Sequence, residues 1–283
     1  ERLRGGTLEV RVGQVAKQST YPLWGGIDGF DPKRGSAEVA SYYLAVGAIV
    51  GVVLGVVIGV LIAIAGVPTG ASTIAGAAVL VGSLVVAAVG YSQAGVDESH
   101  LLDLALLDDD NAPRAESLVE GISASIGLEP PNVFLLDEPQ INALAIQGPG
   151  RTGAVVVTSG ALELLTRLEL EALLARELVK IRSGEVGFEA KVRAFRRVVG
   201  RFWPGAVPTV YTHAMLGRDI AADVGALTAT RFPPALISLV LKAEEIKVQP
   251  TADPKRRLFG PFWFIPELRD VVTAERLTEI SEF

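Results

Sequence analysis

From residue 39 to residue 96 no side chain carries a charge, and a stretch of that length holds two bilayer-crossing helices of roughly 20 residues each. The pattern predicts the first over residues 43–65 and the second over residues 73–91, with Gly66, Val67, Pro68, Thr69 and Gly70 forming the turn between them. Neither segment offers a polar face, which separates both from the amphipathic helix of a soluble core. Past residue 96 the pattern changes to short alternating elements. Apolar residues at helical spacing run over Pro113–Ile126 and stop at Gly127, Asn132–Leu136 is a short apolar strand, Gly153–Thr158 is a β-branched run, and residues 162–180 return to helical spacing. Within the first 38 residues, Leu8 to Val12 alternates like a strand, while Trp24, Gly25 and Gly26 and the pair Asp31 and Pro32 read as turns.

Three segments follow from this reading: 1–38, an N-terminal cytoplasmic stretch; 39–96, a transmembrane helical hairpin; and 97–283, a folded body. The fold class is α+β, mainly α, with a small β-sheet in the body. With 283 residues, 49% of them hydrophobic, and a mean hydropathy of +0.40, the chain fills a domain core and has apolar sequence left over. Its net charge of -6 and the absence of a recognisable module argue against nucleic acid as a partner. It has no cysteine, which excludes disulfides and thiolate metal sites. The apolar run begins some forty residues in and is too long for a signal-peptide core, so a cleaved leader is not expected.

Orientation follows from the flanking charges. Lys33 and Arg34 precede the first span, the connecting loop is uncharged, and acids at Asp97, Asp108, Asp109 and Asp110 follow the second. The positive-inside rule then puts the N-terminus in the cytoplasm, and an even number of spans returns the body to that side. The expected location is a cell membrane, crossed twice. Gly47, Gly51, Gly55 and Gly59 recur every fourth residue on one face of the first span, a surface that lets another helix backbone approach closely. The partner for that face is either the second span or the same span of a neighbouring subunit.

The body carries a series of segments in a distinctive order. Residues 114–121 (Arg-Ala-Glu-Ser-Leu-Val-Glu-Gly) are followed by 131–137 (Pro-Asn-Val-Phe-Leu-Leu-Asp), 142–145 (Asn-Ala-Leu-Ala), 154–160 (Ala-Val-Val-Val-Thr-Ser-Gly) and 169–175 (Glu-Leu-Glu-Ala-Leu-Leu-Ala). In order and spacing this resembles the HtpX-like membrane zinc metallopeptidases over most of residues 43–180. The resemblance implies a zincin-like peptidase domain behind the hairpin. More weakly, Arg218 to Asp223 is similar to the helix that carries that family's third zinc ligand, and residues 274–277 (Ala-Glu-Arg-Leu) resemble its terminal Arg-containing helix. One departure is large. Such peptidases often have two further spans between the zinc helix and the third ligand, whereas here that interval holds Glu189, Lys191, Arg193, Arg196, Arg197 and Arg201, too many charges for a span.

The second departure concerns the chemistry. An H-E-x-x-H helix binds zinc because residues i and i+4 share one helical face, which leaves the glutamate to activate water. This chain reads Arg176-Glu177-Leu178-Val179-Lys180. The resemblance puts Arg176 and Lys180 at the two zinc-histidine positions, Glu177 at the general-base position, Asp219 at the third-ligand position and Asp223 behind it. Arginine and lysine are cations at ordinary pH and are not zinc ligands. Without an ion to bring the pKa of water from about 15.7 toward about 7, Glu177 has no hydroxide to generate. The expectation is therefore no zinc, no other cofactor and no proteolysis by the family mechanism, in a degenerate member that lacks both histidines. Two cations in place of two neutral imidazoles restore about the charge the ion supplied, so Arg176 and Lys180 are expected to pair internally with Glu177, Asp219 and Asp223. An alternative is an active metallopeptidase with an unconventional site around Glu177, Asp219 and His213; the other histidine, His100, lies in the acidic segment after the second span.

Other readings concern partners. In such peptidases the strand resembling Ala154, Val155, Val156, Val157 and Thr158 is an edge that pairs with substrate, so an extended peptide could add to it here, or the strand could be an ordinary one. The run 188–203 sets Lys191, Arg193, Arg196, Arg197 and Arg201 among Phe195, Val198, Val199, Phe202 and Trp203, a pattern suited to an anionic membrane surface or to a solvated helix. The aromatic segment 259–266 packs on the core, docks on lipid or meets a partner. The functional expectation is a membrane-anchored, catalytically inactive HtpX-like pseudopeptidase, serving as an accessory, scaffold or peptide-binding subunit. Its partners would be the lipid bilayer and either other membrane-protein subunits or copies of itself.

Overall fold

The structure is a computed structural model that describes residues 32–66, 68–95, 97–102, 104–107, 112–202, 218–246, 258–265, 277, 280 and 281. The strand and turn expected within residues 1–31, and the terminal helix expected at 274–277 apart from Leu277, lie outside the described residues. Pro32 instead opens the first helix, α1 (Pro32–Ile64), a position where a missing N–H costs nothing. A turn through Gly66, at φ +79°, leads to α2 (Thr69–Gln93). Both helices are long and apolar enough to cross a membrane, over Val39–Ile64 and Gly70–Gln93.

The glycine face of α1 meets α2. A Cβ on Gly47 would stand 2.6 Å from Cβ of Ala87, one on Gly51 2.1 Å from Oγ of Ser83, and one on Gly55 3.0 Å from the carbonyl oxygen of Gly76; at Gly59 the approach relaxes to 3.8 Å. Of the two partners open to this face, the second span is the one that occupies it. The opposite faces present Val53, Val56, Leu61, Ile74 and Val86, all exposed, as lipid-facing helices do.

The body is built on a mixed sheet of β1 (Ala105–Leu106), β2 (Asn132–Leu136), β3 (Ala143–Gln147) and β4 (Gly153–Thr158), in the order β1-β2-β4-β3. β2 and β4 run parallel, from Asn132 opposite Ala154 to Leu136 opposite Thr158, and the other pairs are antiparallel. The peptide-binding expectation for Ala154, Val155, Val156, Val157 and Thr158 is therefore corrected. β4 is an interior strand paired on both sides, and its backbone has no free edge to offer.

Side chains alternate through β4. Val155 and Val157 face one core with α3 (Pro113–Ile126), α5 (Arg167–Arg182), α7 (Arg218–Thr230) and α8 (Pro233–Glu245). Ala154 and Val156 face a second, with Leu144, Ile146, Phe188, Val192, Phe259, Phe262 and Trp263. The described part of the aromatic segment, residues 259–265, thus belongs to the body's core. α3 ends where expected, at Gly127 with φ +67°. The single helix expected over 162–180 is two: α4 (Ser159–Leu164), then α5. The break comes from a capping box, in which Thr166 Oγ1 accepts from Glu169 N–H while Glu169 Oε2 accepts from Thr166 N–H. Arg114 Nη2 donates to the Leu165 carbonyl beside it, at 2.7 Å.

Candidate functional site

α5 lies under the sheet with α7 on one side and α6 (Glu185–Phe202) on the other. Its middle turns bury three charged side chains, with Arg176 at 1%, Glu177 at 0% and Lys180 at 2% exposure. Helical spacing accounts for the grouping, because residues at i, i+1 and i+4 share the face turned inward here. Arg176 Nε donates to Asp223 Oδ1 at 2.9 Å and its Nη1 to Glu177 Oε1 at 2.6 Å. Lys180 Nζ bridges Glu177 Oε2 and Glu189 Oε1, each at 3.1 Å. Arg193, fully buried on α6, continues the series. Its Nη1 reaches Glu189 Oε2 at 3.1 Å, while Nε and Nη2 grip the two oxygens of Glu98 at 2.8 and 2.5 Å.

The result is an unbroken line of alternating charge, Asp223, Arg176, Glu177, Lys180, Glu189, Arg193 and Glu98, running from α7 through α5 and α6 to the linker behind the second span. Four carboxylates meet three cations, and backbone N–H groups make up the difference: Ala145 donates to Glu177 Oε2 at 2.8 Å and Gln147 to Glu98 Oε2 at 3.2 Å. Aromatic faces cover the guanidinium groups. Arg176 sits over Phe264 at 5.3 Å, and Arg193 over both Phe259, at 5.2 Å, and Phe262, at 4.6 Å. Burial pushes the Glu177 carboxyl upward, but Lys180 and Arg176 outweigh it and hold the pKa below the usual 4.5.

The pairing expected of Arg176 and Lys180 with Glu177 and Asp223 is thus present. Three partners escaped the sequence reading, namely Glu189, Arg193 and Glu98. The i, i+4 spacing of Glu189 and Arg193 was a local signal for the first two, but nothing local ties Glu98 to Arg193, 95 residues away. Arg193, expected at an anionic membrane surface or on a solvated helix face, is accordingly corrected to an interior residue. Asp219 lies on α7 one turn before Asp223, its side chain outside what the structure describes, and His213 lies outside the described residues. His100 is exposed in a short turn at Ser99–Leu101.

β3 is the edge strand beside α5, and its outer side is occupied by the chain itself. Besides Ala145 and Gln147, the Gln147 carbonyl accepts from Glu98 N–H at 2.7 Å and the Ala143 carbonyl from Phe264 N–H at 2.9 Å. Asn142 extends the seal. Its Oδ1 accepts from the N–H groups of Ala143 and Ile265, and its Nδ2 donates to the Ile265 carbonyl. Most of the groups that an added peptide strand would need are already bonded.

The family that this arrangement resembles implies a zinc ion. The side chains present do not fit one: a guanidinium and an ammonium stand where neutral nitrogen donors are needed, and both Glu177 oxygens are bound to cations and to Ala145 N–H.

Fold and site together define an α+β membrane protein with two candidate spans, whose body sets a helix of buried charges against a small sheet. Curated proteins named "Protease HtpX homolog" are similar to this chain. That of Dictyoglomus thermophilum is 40% identical over 74 residues, 26% of this chain and 24% of the relative. The one from Moorella thermoacetica is 28% identical over 191 residues, 56% and 64% of the two chains, and the one from Limosilactobacillus fermentum 25% over 183 residues, 51% and 61%. The chain is HtpX-like, and it spans between a quarter and about two thirds of the length of these relatives. No family model matches it, and no solved structure matches it significantly.

Proposed function

We propose that this chain is a membrane-anchored HtpX-like pseudopeptidase, an accessory or scaffold subunit of a membrane protein complex with its body in the cytoplasm. The observation that carries the reading is the state of Glu177. A general base in this family's chemistry needs a free oxygen facing a metal-bound water. Here Oε1 is held by Arg176 and Oε2 by Lys180 and the Ala145 amide, and the pKa is lowered, so the carboxylate is a weak proton acceptor. The closed outer side of β3 supports scaffolding over capture of extended peptides. The same commitment of Glu177 speaks against an unconventional metal site shared with Asp219 and His213.

Two measurements test this. Protein purified in mild detergent without chelators should carry substoichiometric zinc and leave an unfolded membrane substrate uncut; stoichiometric zinc with chelator-sensitive cleavage would overturn the reading. In the same detergent the chain should co-migrate with a second membrane protein, and an isolated monomer would remove the scaffold part of the proposal.

A further inference from the structure

Three cations that the buried charge line does not use, Lys191 and Arg197 of α6 and Arg151 of the β3–β4 turn, stand near the ends of the two spans closest to the body. Phe195 and Val199 of α6 pack against Tyr42, Tyr43 and Val46, which lie within the first two turns of the first candidate span. A helix touching Val46 lies alongside the start of the membrane helix, at the depth of the headgroups. Tyr42, Tyr43 and Tyr91 cluster there, with ring centroids of Tyr43 and Tyr91 5.6 Å apart and of Tyr43 and Phe195 5.1 Å apart. Tyrosines gathered at span ends mark the membrane–water boundary.

Three cations share that level. Lys191 Nζ bonds the Tyr91 hydroxyl at 3.2 Å and lies 4.6 Å from its ring centroid. Arg151, exposed and held with φ +65° in the turn before β4, donates from Nη2 to the Ser92 carbonyl on the last turn of α2, at 2.6 Å. Arg197 is exposed on α6 beside Val198, an aliphatic side chain left 59% exposed. An exposed valine next to an exposed arginine suits a surface that is apolar below and anionic above, where the long side chain reaches up to phosphate. The neighbouring acids Glu98 and Glu189 do not oppose this, being taken up by Arg193 and Lys180.

We propose that Arg151, Lys191 and Arg197 form a binding site for the phosphate headgroups of anionic phospholipids in the leaflet facing the body. This rests on the spans lying in a bilayer and is independent of whether the chain is a pseudopeptidase. The site adds lipid contacts to a junction that the chain's own residues already hold together. The full chain is extracted from vesicles of equal parts phosphatidylglycerol and phosphatidylcholine, and the lipids it retains are counted by native mass spectrometry. Wild-type protein should retain the anionic lipid with about fivefold or greater enrichment. The variant R151Q/R197Q, whose residues lie outside the buried charge line, should fall toward parity while keeping the wild-type circular dichroism spectrum and melting temperature. Millimolar inorganic phosphate should not displace the lipid. Equal retention of both lipids by wild type, unchanged enrichment in a folded R151Q/R197Q, or displacement by free phosphate would each overturn the site.

Discussion

At the scale of single residues, the cost of burying charge decides what Arg176 is for. Breaking a buried ion pair from one side leaves the partner charge unpaired in a medium that solvates it poorly, a loss of about 3–5 kcal/mol. Arg176 serves two carboxylates, Glu177 and Asp223, so R176M should lower unfolding free energy in detergent by that amount. Adding E177Q and D223N to R176M should recover much of it, because neutral amides need no counter-charge; a triple variant as unstable as the single one would contradict this account. The identities of Arg176, Glu177, Lys180 and Asp223 were legible in sequence because they occupy recognisable positions of a motif. Glu98 was not, since its role comes from the fold carrying the linker back across β3, and no spacing rule reports a contact of that range.

At the scale of elements, local chemistry overrode periodicity at the start of α5. Apolar spacing runs unbroken through residues 162–180, yet the capping box of Thr166 and Glu169 starts a new helix, and Glu169 also accepts from Lys242 at 2.8 Å and from Ser238 on α8. Burial raises the Glu169 pKa, but these donors dominate and bring it from 4.5 down to about 2. A carboxylate with a depressed folded pKa stabilises the native state fully above its unfolded value. That contribution is lost as pH falls from about 4.5 toward 2. Melting temperature should therefore drop through this window, and E169Q should be less stable at pH 7 with a flatter profile below pH 4.5. The strand β3 was missed for a different reason: Ala143, Leu144, Ala145, Ile146 and Gln147 hold only one β-branched residue, and the strand is set by its partners more than by propensity. The hairpin was legible because the uncharged stretch from 39 to 96 holds two spans with turn residues between them, whereas glycine spacing alone left the partner of that face open. G51L drives a side chain into Ser83 and the backbone of Leu80 and should cost about 1–3 kcal/mol. G82L, with nothing among the described residues within 4 Å of its Cβ position, should change stability by less than about 0.5 kcal/mol.

At the scale of the whole molecule, the hairpin and body are tied so closely that the orientation of one sets that of the other. Gly95, at φ +66°, lets the linker pass so near α6 that a Cβ there would stand 2.3 Å from Cβ of Ala190. Three residues on, Arg193 grips Glu98, and the Tyr43 hydroxyl donates to the Lys191 carbonyl at 3.3 Å. α1 and α2 run antiparallel through a short turn, so the body emerges on the side from which α1 enters, the side of Lys33 and Arg34. If these charges obey the positive-inside rule, the turn between the spans faces out and the body faces the cytoplasm. The absence of native cysteine makes this measurable with single substitutions. A cysteine at Ala71, exposed beside the turn, should react with a membrane-impermeant maleimide in intact cells. A cysteine at Glu129, exposed just past α3, should react only after permeabilisation. The reverse labelling pattern would put the body outside and, because Lys191 and Arg151 bond residues of the second span, would carry the Arg151, Lys191 and Arg197 face to the opposite leaflet.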